Sequence, residues 1–116
     1  MNTSLSTNGG EPISLANYAL TLGLLGQDEE ANKRFAAAHW WADSSDEKAL
    51  IHFNQAIFLI EKGSFDAATA SLLKSFSLSR SQIAKYCGIS VQIKKALVAN
   101  SALREVVESK GRIKKL

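Results

Sequence analysis

Tyr18-Ala19-Leu20-Thr21-Leu22-Gly23-Leu24-Leu25-Gly26-Gln27-Asp28-Glu29-Glu30-Ala31 and Gln55-Ala56-Ile57-Phe58-Leu59-Ile60-Glu61-Lys62-Gly63-Ser64-Phe65-Asp66-Ala67-Ala68 are two versions of one pattern. At a constant offset of 37 residues, Ala19, Leu22, Gly26, Ala31 and Phe35 fall on Ala56, Leu59, Gly63, Ala68 and Leu72, and Asn17 falls on Asn54. Self-similarity at a period between ~20 and 50 residues is the mark of stacked supersecondary units. Each unit reads as two antiparallel helices joined at the glycine. The small Ala19 and Ala56 admit close approach by Ala31 and Ala68 of the return helix, and Leu22 and Leu59 fill the space beside them.

Outward from this core, Pro12 marks a helix start, because a first-turn residue has no intrahelical use for its N–H. Ile13, Ala16, Ala19, Leu20, Leu22 and Leu24 follow at helical spacing, and Gly26 supplies a left-handed cap. Asp28 is placed to cap the second helix, with Glu29 and Glu30 favourable to its dipole. That helix turns Ala31, Phe35, Ala38 and Trp41 inward. Ser44-Ser45-Asp46-Glu47 fits a capping box. The helix after it carries Ala49, Leu50, Phe53, Ala56, Ile57, Phe58, Leu59 and Ile60 around most of its circumference, so it must be buried or line a groove. Gly63 stops it, and Ser64 is placed to cap a helix bearing Phe65, Ala68, Leu72, Leu73 and Phe76. No segment alternates with period two, so an all-α chain without sheet is expected.

The 116 residues suffice for one domain that hides roughly two thirds of its unfolded surface. Apolar residues make up 46% and charged residues 22%, a globular composition. One Cys excludes a disulfide framework and a Cys-rich zinc site, and suits a cytoplasmic protein. No apolar run approaches the ~18 residues of a membrane span, and Met1 to Glu11 has neither the basic residue nor the apolar core of a secretory signal. Two His and scattered carboxylates make a thin catalytic inventory, which points away from an enzyme and implies no cofactor. The net charge of +3 is unevenly shared. Residues 1–79 hold five Lys/Arg and nine Asp/Glu, a balance of −4; residues 80–116 hold nine and two, a balance of +7. Such asymmetry bears on partners, including self-association of the acidic front with the basic back.

Leu15-x2-Tyr18-Ala19-x2-Leu22-x3-Gly26-x4-Ala31-x3-Phe35-x2-Ala38 resembles a tetratricopeptide repeat, as does His52-x2-Gln55-Ala56-x2-Leu59-x3-Gly63-Ser64-Phe65-x2-Ala68-x3-Leu72-x2-Ser75. The 37-residue offset exceeds that family's usual ~34, and the Pro that commonly follows its second helix is absent from both copies. A degraded third copy begins at Ile83, with Tyr86, Ile89, Ser90 and Ile93 on its first helix and Ala102 and Val106 on its second. Gly88 interrupts that first helix, and Leu97 stands where the turn glycine belongs. The resemblance thus implies stacked antiparallel helix pairs, two clear and one degenerate, about six helices in all. The expected organisation is a flexible leader over 1–11, a helical repeat domain over 12–110 and a basic tail over 111–116.

The resemblance implies that the first helix of each pair lines a concave surface. It carries Ile13, Ala16, Asn17, Leu20 and Leu24 from the first pair, Leu50, Phe53, Asn54, Ile57 and Ile60 from the second, and Val91, Lys94 and Lys95 from the third. Leu20, Leu24, Leu50, Phe53, Asn54, Ile57, Ile60, Lys94 and Lys95 are accordingly the candidate partner-binding residues. Two readings of these side chains stand side by side. Either they form an apolar trough that receives a partner's amphipathic helix, or three short repeats close on themselves and bury them. The family's other mode, a clamp on a terminal carboxylate, is matched by Asn54 but not by Ala16, Leu20, Ala84 or Gly88. Gln27 to Asn32, an aromatic-rich helix after it and the Gly63–Ala68 turn are similar to the layout of small cytoplasmic chaperones for type III secretion needle subunits. That likeness implies holding a self-polymerising helical subunit through its apolar face.

A second function class rests on residues 81–97. Ile83-Ala84 followed by Gly88-Ile89-Ser90 resembles a helix-turn-helix, and Arg80, Lys85, Lys94, Lys95 and the basic tail could meet phosphates. The pattern slips after Ser90, where Val91 and Ile93 are apolar and Lys94 stands at an apolar position. A basic face for an acidic protein partner accounts for the same charges. His39 and His52 lack the further ligands a metal site needs. Trp40-Trp41 offers one ring to the core and one as a possible partner anchor. Cys87 has no neighbouring His and reads as a small buried thiol. Glu29/Lys33 and Glu30/Arg34 read as solvent-face pairs.

Overall fold

Seven helices and no strand account for the regular structure of residues 11–111, the part of the chain that the computed structural model describes. They are α1 (Glu11–Leu24), α2 (Asp28–Trp41), α3 (Ser45–Glu61), α4 (Phe65–Leu78), α5 (Arg80–Ile89), α6 (Val91–Ala99) and α7 (Ser101–Gly111). The expected leader, apart from Glu11, and the expected tail from Arg112 onward lie outside the described residues.

The turns at Gly26 and Gly63 are built alike. Both glycines have positive φ, 88° and 81°, where a side chain would be strained. Gln27 N–H donates to Leu22 O and Gly26 N–H to Gly23 O; Ser64 N–H donates to Leu59 O and Gly63 N–H to Ile60 O. This double bond pattern satisfies carbonyls left open at a helix C-terminus. The two helix ends therefore share one hinge geometry. Asn54 Nδ2 donates to Asn17 Oδ1 at 2.8 Å, linking α3 to α1 through residues 37 positions apart.

Caps follow the expectation at one site and depart from it at two. Ser44 accepts from Glu47 N–H while Glu47 Oε1 accepts from Ser44 N–H, a complete capping box on α3. Asp28 does not cap α2. Gln27 holds that position without a side-chain bond, and Asp28 pairs with Lys62 at 2.8 Å, bridging the two hinge regions. Ser64 occupies the cap position of α4, but its hydroxyl makes no cap bond.

The core divides into two clusters on opposite sides of α3. Ala16, Ala19, Leu22, Ala31, Phe35, Ala38 and Ala42 pack with Ile51 and Phe58, and the Phe35 and Phe58 rings lie 5.7 Å apart. Ala49, Phe53, Ala56 and Ile57 pack on the other side with Leu72 and Phe76 of α4 and with Ile83, Cys87, Ile93, Ala96 and Leu103 of α5 to α7. Trp41 does not turn inward. It is 51% exposed and Trp40 81%, because Ala38 and Ala42 occupy the inward positions at the end of α2.

The third pair is also different from expectation. Ser90 is extended and accepts from Ile93 N–H, ending α5 and starting α6. Asn100 is extended, and its Oδ1 accepts from Leu103 N–H at the start of α7. Two short polar residues with good capping chemistry thus cut the segment into three helices, and Gly88 stays inside α5.

Candidate functional site

The residues of the expected trough are mostly interior. Phe53 and Ile57 are each 5% exposed, and Asn54 is buried against Asn17. The physical reason is that α5 and α6 pack directly on α3. Ile83, Cys87 and Ile93 join the cluster around Phe53, and the Tyr86 ring covers it at 5.7 Å between centroids. Of the two readings open at the level of sequence, the closed one describes these side chains. Leu20, Leu50 and Ile60 are half-buried at the edge of the same cluster, while Leu24 is exposed beside the Gly26 turn. Phe53, Asn54 and Ile57 therefore present no surface on which a partner's helix could lie.

The helices that fill the trough open a cleft of their own. A shallow, open cleft of about 360 Å³ lies between α5, α6 and α7, lined by Ala84, Cys87, Gly88, Leu97 and Val107 together with Lys94 and Glu108. Ile89 and Val91 flank the Ser90 break and are 69% and 62% exposed. Lys85, Lys94 and Lys95 are exposed on the same two helices. Lys94 and Lys95 therefore keep the accessibility expected of them, but border a different surface from Phe53 and Ile57. Burial pushes the Cys87 thiol up to about 12, so it is an apolar wall atom rather than a nucleophile.

Helix-turn-helix geometry is not reproduced by this segment. One residue, Ser90, separates α5 from α6, whereas that motif uses a turn of about three or four residues.

Between α2 and α3, the rings of His39 and His52 lie with centroids 4.4 Å apart and planes tilted by 44°, and His39 Nε2 lies 2.7 Å from Gln55 Oε1. Burial, then the nearby His39 and Lys74, lower His52 from 6.5 to about 4. Among the described residues no group of three or more His, Cys, Asp or Glu is placed to hold a metal ion, and no helix is long and apolar enough to cross a membrane.

The cleft residues Leu97, Val107 and Glu108 were not legible as a site in the sequence. Their signal was present in Ser90 and Asn100, two N-cap residues that break the segment and fold α7 back toward α5. The His39/His52/Lys74 grouping had no linear signal, since it draws one residue from each of three helices. No family model matches the chain, and no curated protein or solved structure matches it either.

Proposed function

We propose that the protein is a non-catalytic protein-binding adaptor or chaperone of tetratricopeptide-like design, which takes an amphipathic helix of its partner in the cleft between α5, α6 and α7. Two observations support this reading: a largely apolar cleft between α5, α6 and α7, and two largely exposed β-branched side chains, Ile89 and Val91, at the α5–α6 break of a segment that also carries Lys85, Lys94 and Lys95. Exposed apolar surface rimmed by polar groups marks interaction sites, and a helix laid in a groove offers apolar anchors at three- and four-residue spacing. The basic balance of residues 80–116 favours a partner helix with an acidic flank. A needle-subunit chaperone is the specific form of this reading. It rests on the sequence layout of Gln27–Asn32 and Gly63–Ala68 alone.

The test is capture of partners from the native host by the wild-type chain and by the double variant Ile89→Asp/Val91→Asp. Both side chains are exposed, so the variant keeps its helicity. The reading expects a retained partner to be lost from the variant with circular dichroism unchanged. Equal capture by both proteins overturns it.

A further inference from the structure

The cleft walled by His39 of α2, His52 and Gln55 of α3 and Ser71 and Lys74 of α4 encloses about 350 Å³. Three groups able to carry positive charge thus converge from three helices. None of the three ion pairs among the described residues includes Lys74, and no acidic group joins the two histidines in a metal-type cluster. Lys74 brings a positive charge without an ion-pair partner to the mouth of this cleft, which raises the local affinity for an anion. Lys74 disfavours a metal cation at the same place. The remaining side chains are hydrogen-bond donors: the Ser71 hydroxyl, the Gln55 amide and the imidazole N–H groups.

We propose that this cleft is a binding site for a tetrahedral oxyanion of the phosphate or sulfate type, held by Lys74, His52 and Ser71, with His39 and Gln55 fixing the wall behind it. The site is independent of the α5–α7 cleft. His39, through its ring, and Lys74 are the titratable groups that bear on His52, one from each neighbouring helix. Burial first, then the fields of His39 and Lys74, keep His52 neutral, and an anion there offsets those two fields, so binding and protonation of His52 are coupled: each favours the other.

The experiment follows the ring nitrogens of His52 by NMR at pH 6.0, where His52 is otherwise neutral. Sodium sulfate, whose charge is constant in this range, is compared with sodium chloride at equal ionic strength. Sulfate is expected to raise the protonated-to-neutral ratio of His52 at least tenfold, read as a shift of its averaged ring-nitrogen signals toward the protonated values, while chloride does not. Lys74→Gln is expected to abolish the sulfate effect, and Lys95→Gln, on α6, to leave it intact. O-phosphoserine forms a second arm. A response equal to that of sulfate extends the site to a phosphorylated side chain, and a response to sulfate alone restricts it to the free ion. No protonation of His52 by either anion, or an undiminished response in Lys74→Gln, overturns the proposal.

Discussion

Two glycines inside helices separate what a single residue does locally from what its surroundings permit. Replacing a mid-helix Gly by Ala removes a propensity penalty of about 1 kcal/mol. At Gly88 an added Cβ meets nothing within 4 Å, so Gly88→Ala is expected to stabilise the protein by roughly 0.5–1 kcal/mol. At Gly23 the same Cβ would run into Cδ1 of Phe58, a buried ring already packed on Phe35. Overpacking of that kind costs about 1–3 kcal/mol, which outweighs the propensity gain. Gly23→Ala is therefore expected to lower the thermal midpoint while Gly88→Ala raises it; a rise for both would contradict the close α1–α3 contact. Neither sign could be read from the sequence. Gly26 and Gly63 could, since a glycine that ends an apolar helical run has one common use.

Helix ends show how much of an element its own residues specify. The capping box of α3 is written in Ser44 and Glu47 and is present with both of its hydrogen bonds. Ser64 looked equivalent in sequence, yet its backbone at φ −90° and ψ 71° leaves the hydroxyl without a cap bond. Gln27, one repeat earlier, has nearly the same dihedrals and also makes none, so the shared hinge geometry overrides the cap preference of serine. Ser44→Ala is expected to cost about 1 kcal/mol, and Ser64→Ala less than about 0.5 kcal/mol, as for surface changes that break no specific contact. Urea melts of the two variants check this, and equal losses would contradict it. Asp28 failed as a cap for a tertiary reason: Lys62 lies 2.8 Å away from the second hinge. The third repeat failed for a local one. Capping residues at Ser90 and Asn100 make three short helices where periodicity alone allowed two longer ones.

At the scale of the molecule, α3 is the shared wall of two cores, and its all-round apolar surface is explained by neighbours on both sides. The sequence showed that α3 must be covered. It could not show by what, because the covering residues Ile83, Tyr86, Cys87 and Ile93 lie 30 to 40 positions downstream of Phe53, in the segment with the weakest repeat signal. Because α5 and α6 occupy the trough, Phe53 is interior, whereas Lys94 lines the open cleft between those helices and α7. The thermal unfolding of Phe53→Asp, followed by circular dichroism, tests this closure most directly. A carboxylate placed at a 5% exposed position must be desolvated without a partner, so the cooperative transition is expected to be lost; a melt indistinguishable from the wild type would mean that Phe53 faces an open trough after all.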